Sequence, residues 1–519
     1  MTHRQLARNI GSMSLAVFFS RITGLVRDIF MTNYFGTTAV ADAFQVAYQI
    51  PNLLRKLFGE GALSAAFVPL YNEFGIKRGK REQFRFALNI LSLLSLLLLI
   101  LCIIGIFIAP LLVRVLAPGF DHSSYQLALK LTRIMFPYLF LIGISSTLIS
   151  ILNSHDYFFL PGLSTALLNL AMIGTLGIFV LWQESSTIEE RIVVWSWGVI
   201  LGGFFQVVIN LPLLKKLGYS VRIILSTGGE ALRSLLRRFI PGAIGIGIRQ
   251  INLWVDLILA SFLATGSIAA LSYGNRLMQL PLGIFGVSAG VAVLPLFSRY
   301  VTEEKWSDLQ ESLRFAVITV CWIMIPITML IAGLGRDLIR LIFMRGAFDE
   351  ISLAMTFQAL VCYSLGLVFF SLNRLLIPIF YANKNTRTPV KITAVIVVIN
   401  IILNLILMRY LQHAGLALAT TLSSLIQYIV LRSALRKKVP GLHFPGVKTE
   451  LVKIFILSTS ILGGLLILNH LYRVDESLNI LFKIVLGLSL YFIILILGTR
   501  IMKITYTGRI LDVIWKKFH

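Results

Sequence analysis

Apolar residues in this chain come in runs of roughly twenty, separated by short polar or basic breaks. That length is what a helix needs to cross a hydrocarbon core about 30 Å thick. The clearest runs are 90–108, 163–181, 392–407, 454–468 and 480–497. Reading every run against its breaks predicts fourteen spans, near 10–36, 42–72, 86–115, 127–152, 161–182, 192–214, 239–262, 268–297, 315–334, 352–381, 389–410, 415–432, 454–471 and 478–499. Charges and glycines interrupt the first, second and eighth. The expected fold is therefore an all-α polytopic membrane protein. The first span has no cleavage signature behind it and is expected to stay as its own insertion signal.

Composition agrees: 57% of the 519 residues are hydrophobic, above the usual half of a soluble domain. Cys102, Cys321 and Cys362 all lie inside apolar runs without metal-ligand spacing and read as small buried hydrophobes. The net charge of +24 is explained by topology without nucleic acid. With the N-terminus in the cytoplasm, the inner breaks carry thirty Lys and Arg and the outer breaks six, the asymmetry of a protein inserted positive-inside. Both termini are then cytoplasmic, and the basic loops face anionic lipid.

The chain also repeats itself at an offset near 227 residues. Arg21 and Asp28 match Arg249 and Asp256; Pro69 and Tyr71 match Pro295 and Phe297; Asp121 matches Asp349. Six spans per repeat give two parallel halves related by an axis along the membrane normal. This divides the chain into an N-lobe at 1–236, a C-lobe at 237–438 and two added spans with a tail at 439–519.

Charged groups inside spans cost at least ~2.5–3.5 kcal/mol at the bilayer centre, so they face a watery interior. Arg21, Arg27, Arg55 and Arg276 outnumber the acids available to neutralise them, and Arg374 lies deep in the tenth span. The surplus predicts a cationic cavity with an anionic cargo, and the planar arginine fork suits phosphate. Asp28 and Asp256 share helix faces with Arg21 and Arg249, and Lys56 pairs with Glu60 at i,i+4; both patterns also fit plain buried ion pairs. Gly24, Pro281 and Gly283 are candidate hinges, while Gly286-x3-Gly290 permits close helix packing. Asp256, Asn400, Asn404 and Thr420 are oxygen donors that suit either a small cation or interhelical hydrogen bonds.

The residues carrying these features resemble a known family. Phe19-Ser-Arg21-Ile-Thr-Gly24-Leu-Val-Arg27-Asp28, Ala41-Asp42-Ala-Phe44, the stretch Arg55-Lys-Leu-Phe-Gly-Glu60 through Pro69, and Tyr273-Gly-Asn-Arg276 through Pro281 are similar to motifs of the MurJ (MviN) family. The resemblance covers essentially the whole chain. It implies a lipid II flippase of the MOP exporter superfamily in the bacterial inner membrane, with two six-helix lobes in a V around a central cationic cavity. Two further helices would form a groove for the polyprenyl tail. Arg21, Arg27, Arg55 and Arg276 would contact the diphosphate or headgroup, and Asp42 and Glu60 would support gating. The chain departs from the family at Asn275 and Asn404, where acids often stand, and the departure at Asn404 weakens a sodium site. No cofactor is expected; a monovalent cation or the membrane potential would drive transport. A monomer is expected, associating with cell-wall synthesis proteins. The rival readings are an exporter of O-antigen-type lipids and a membrane-embedded transferase. The second lacks clustered carboxylates or histidines, and there is no Walker A motif.

Overall fold

The structure, a computed structural model, describes residues 3–59, 62–219, 223–226, 230–437, 447–472, 477–504 and 506. These residues are helical almost throughout, and they fall into two compact units, Met1–Ala269 and Ala270–His519.

Unit 1 contains α1 (His3–Phe35), α2 (Ala39–Gly59), α3 (Ala62–Leu116), α4 (His122–Met135), α5 (Tyr138–Ser154), α6 (Phe159–Trp182), α7 (Ile188–Val208), the short α8 (Leu211–Lys216) and α9 (Glu230–Ala260). α3 is two helices bent at Gly79, whose φ of 82° only glycine adopts freely. The basic cluster Lys77 to Arg85 flanks that bend. Pro137 separates α4 from α5. α7 lies close along α6 because Gly198 and Gly202, one turn apart, leave room for Met172 and Leu168; a Cβ on either would sit 2.8 Å from the facing Cα. α9, the first span of the repeat's second half, belongs by packing to unit 1, where it lies against α3.

Unit 2 contains α10 (Ser267–Pro281, its first residues in unit 1), a π-helical turn at Leu282–Val287, α11 (Ser288–Thr302), α12 (Trp306–Phe343), α13 (Glu350–Ser364), α14 (Leu367–Ala382), α15 (Arg387–Arg436), α16 (Val447–Leu471) and α17 (Ser477–Ile501). α15 is two spans folded over at Gln412 (φ 48°, ψ −130°). α16 and α17 pack on α12: Asn469 Nδ2 donates to Gly333 O at 2.7 Å and Trp322 Nε1 donates to Thr499 Oγ1 at 2.9 Å. Lys483, a charge within the last span, meets Asp337 of α12 at 2.9 Å.

Ten helical stretches among the described residues are long and apolar enough to cross a bilayer. α15 supplies two spans. The other three expected spans fall on α1, α2 with the start of α3, and α9, whose side chains lie partly outside the described residues. The total is the expected fourteen. Those three helices carry Arg21, Arg27, Arg55 and Arg249.

In unit 1 the connections sort to two ends. At one end Gly119 N donates to Ser261 Oγ at 3.1 Å, and the Asp42 carboxylate accepts from Gly266 N and Ala269 N at 2.6 and 2.7 Å. At the other end Tyr71, His155 and Tyr219 form a chain, and Asn89 Oδ1 accepts from Ser226 N at 2.8 Å. The basic residues at 77–85 and 215–216 lie at this second end. The alternation of loops inferred from charge is thus realised in the packing.

Gly266 makes the first end possible. Its φ is +88°, and an added Cβ would lie 2.1 Å from Thr37 O. Gly266→Ala is expected to lower the thermal midpoint of the detergent-solubilised protein by several degrees, since left-handed strain alone costs about 1–3 kcal/mol. Gly174→Ala, on an open helix face, should leave the midpoint unchanged or raise it.

The second end carries a titratable imidazole. His155 Nε2 lies 2.7 Å from Tyr71 Oη, which lies 2.5 Å from Tyr219 Oη. Burial first, and Lys80 second, hold the His155 imidazole below its ordinary pKa of 6.5. The neutral ring and the two phenols thus form one continuous hydrogen-bonded chain. The folded chain binds this proton less readily than the unfolded one, so the stability is present above pH 6.5 and is lost as pH falls below it. The thermal midpoint should therefore drop between pH 7.5 and 5.5, and His155→Gln should flatten that slope.

Candidate functional site

The expected site residues divide between the units. Unit 1 holds Arg21, Arg27, Asp28, Asp42, Arg55, Arg249 and Asp256; unit 2 holds Arg276, Pro281, Gly283, Arg374, Asn400, Asn404 and Thr420. Glu60 lies outside the described residues, as do the side chains of Arg55 and Arg249; their backbones are helical, in α2 and α9.

α1 runs as one helix through Gly24, and its two arginines differ sharply. Arg21 is exposed, and no hydrogen bond or ion pair engages it among the described residues. Arg27 is largely committed. Its Nη2 and Nε donate to Asp28 Oδ1 at 2.8 and 3.2 Å, and its Nη1 donates to Asn169 Oδ1 of α6 at 3.0 Å. Asn169 Nδ2 returns a bond to Thr23 Oγ1 at 3.2 Å. Three of the five guanidinium donors are thus spent inside unit 1, with two left for a ligand. Asp28 is buried beside it, 6% exposed.

Asp42 is a buried carboxylate that caps a helix 224 residues away. It satisfies N–H groups in the first turn of α10, where the helix end itself favours negative charge. That turn leads along α10 to Arg276, which is exposed.

Beyond Arg276 the same helix is irregular. Pro281 removes an N–H donor and the backbone widens into the π-helical turn containing Gly283. Gly286 and Gly290 then pass close to α14: a Cβ at Gly286 would lie 2.5 Å from Ser371 Oγ, and one at Gly290 would lie 3.0 Å from Arg374 O. The glycine pair serves close packing, and Arg374 is part of the helix it packs against.

On α15, Asn404 Nδ2 donates to Asn400 Oδ1 at 3.0 Å and Asn400 Nδ2 donates to Ser423 Oγ at 3.1 Å. Thr420 Oγ1 donates to Leu416 O at 3.1 Å. The two amides bond one another along one arm of α15, and Asn400 reaches Ser423 across the fold at Gln412, while Asp256 belongs to the other unit. Among the described residues no cluster of three His, Cys, Asp or Glu side chains has metal-binding geometry.

Sequence reasoning did not find Asn169, the partner of Arg27, because its only signal is a polar residue in an apolar run. Asp337 was missed because it stands between Arg336 and Arg340, beyond the end of the expected span.

The family model for the lipid II flippase MurJ matches residues 31–487. The chain belongs to the MurJ family. It is 33% identical to the probable lipid II flippase MurJ of Buchnera aphidicola subsp. Baizongia pistaciae, over 92% of this chain and 93% of the relative. It is 31% identical to the probable lipid II flippase MurJ of Vibrio cholerae, over 94% and 95%. A solved MurJ structure in an inward closed conformation superposes with a TM-score of 0.78 at 29% identity, covering 94% of this chain and 98% of that one. An inward-facing multidrug resistance transporter of the MOP superfamily shares the fold, with a TM-score of 0.65 at 15% identity, covering 81% and 96%. Membership in the MurJ family makes the chain a transporter rather than an enzyme.

Proposed function

We propose that the chain moves lipid II, the polyprenyl-diphosphate peptidoglycan precursor, from the cytoplasmic to the outer leaflet of the bacterial inner membrane by alternating access through a cationic cavity. The observation that carries this reading is the state of the arginines. Arg21 has no partner among the described residues, Arg276 is exposed, and Arg27 keeps two donors in reserve. A diphosphate offers the fixed oxygens that such forks bind in pairs. Arg55 and Arg374 complete the set, with Arg249, Asp28, Asp42 and Glu60 balancing charge.

The π-helical turn after Pro281 is the flexible element in this reading, because its backbone hydrogen bonds are already loosened. Both termini are cytoplasmic. The basic ends of α3 and α8 fit that orientation, and no nucleic acid is involved. The membrane potential is the preferred drive, worth about 2.3 kcal/mol per charge per 100 mV. The hydrogen-bonded Asn400 and Asn404 argue for potential over a bound monovalent cation. The transporter works as a monomer that associates with cell-wall synthesis proteins.

Proteoliposomes carrying fluorescent lipid II test this reading. Lipid II should reach the opposite leaflet only when the chain is present, and faster under an imposed potential. If lipid II stays in place while an O-antigen-type polyprenyl-diphosphate lipid moves, the cargo is wrong.

A further inference from the structure

At the end of unit 1 where α4 and α7 begin, these two helices and the end of α6 enclose a groove of about 850 Å³. A smaller hollow of about 420 Å³ continues it along α4 and α7, sharing Gln126, Lys130 and Val193. The groove's charged groups are arranged by depth. Glu189 and Glu190 stand in the first turn of α7, at the rim. Lys130 lies eight residues into α4, about 12 Å along it at 1.5 Å per residue, and Arg133 is one turn further. Trp197, 54% exposed, lies two turns below the carboxylates and lines the lower hollow.

These charges are available. Among the described residues, Lys130, Arg133 and Glu189 make no hydrogen bond or ion pair. Glu190 gives one oxygen to Thr187 N at 2.8 Å in a capping box and keeps the other. None of these residues belongs to the set assigned to the lipid II diphosphate.

We infer that this groove binds a glycerophospholipid with a zwitterionic aminoalkyl-phosphate headgroup, its ammonium at Glu189 and Glu190, its phosphate at Lys130 and Arg133, and its chains along Val193 and Trp197. The order of carboxylate, cation and aromatic surface matches the order of ammonium, phosphate and acyl chain in such a lipid. Cations that merely snorkelled to the headgroup layer would serve any phospholipid. The rim carboxylates make the difference. A purely anionic headgroup must bring its charge past Glu189, whereas an ammonium neutralises it.

The test uses the purified full-length protein and reads retained lipid by native mass spectrometry and stabilisation by thermal unfolding. The probes are dioleoylphosphatidylethanolamine, dioleoylphosphatidylglycerol, glycerophosphoethanolamine and inorganic phosphate. The ethanolamine lipid should be retained about tenfold better than the glycerol lipid, the worth of one charge-assisted hydrogen bond. Glu189→Gln should erase that preference, and Lys130→Ala with Arg133→Ala should weaken both lipids. Glu189 is exposed and outside the capping box, so its variant should fold as the parent does, and unliganded thermal midpoints check this. Equal retention of the two lipids, or a preference that survives Glu189→Gln, overturns the inference. Stabilisation by inorganic phosphate or glycerophosphoethanolamine as large as by the intact lipid also overturns it, since the site would then recognise a free headgroup.

Discussion

Arg21→Ala should reduce lipid II translocation about 10–100-fold while leaving the thermal midpoint of the protein unchanged. A charge-assisted hydrogen bond to a buried ligand is worth about 1.5–3 kcal/mol, and Arg21 is exposed and makes no hydrogen bond or ion pair among the described residues. Arg27→Ala should behave differently. It removes the guanidinium 2.8 Å from the buried Asp28, and breaking a buried pair costs about 3–5 kcal/mol. Stability and transport should then fall together. Asn169→Ala separates the two roles: it keeps both charges, loses the tie between α6 and α1, and should lower the thermal midpoint while sparing much of the transport. Translocation in proteoliposomes and thermal unfolding of the same preparations decide the matter. If Arg21→Ala destabilises as much as Arg27→Ala, Arg21 is structural.

Lys483→Ala should destabilise unit 2 by about 3–5 kcal/mol. Its ammonium is 8% exposed and meets Asp337, 14% exposed, at 2.9 Å. Removing the lysine takes the ammonium partner from a largely buried carboxylate on α12. The double substitution Lys483→Met with Asp337→Leu should recover most of the loss, because apolar packing then replaces both charges at similar volume. Thermal midpoints of the parent, Lys483→Met, Asp337→Leu and the double variant form a double-mutant cycle. Additive losses would show that the pair contributes nothing as a pair.

The spans were readable because each hydrocarbon crossing demands about twenty apolar residues, whatever its neighbours do. The charged helices were readable for a second reason: Arg21, Arg27 and Arg55 cost too much in lipid to be there without purpose. Partners were not readable. Asn169 lies 142 residues from Arg27, and nothing local marks it as the residue that takes up a guanidinium. Asp42 was noticed as a motif residue, but its bonds to Gly266 and Ala269 depend on a left-handed glycine pressed against Thr37. Nothing local marks the partner of Lys483 either, because Asp337 sits on a helix that only tertiary packing brings near. The repeat set a boundary near 236, whereas packing places α9 with α3. Sequence similarity follows ancestry, and the compact units follow side-chain contact, so the two boundaries need not coincide.

The most direct test is lipid II externalisation in cells depleted of their own flippase and supplied with this chain, or with its Arg21→Ala and Arg276→Ala variants at equal membrane levels. The account predicts that the parent restores externalisation and that both variants fail while inserting normally. A parent that inserts and moves no lipid II would contradict the cargo, and variants as active as the parent would contradict the cationic cavity.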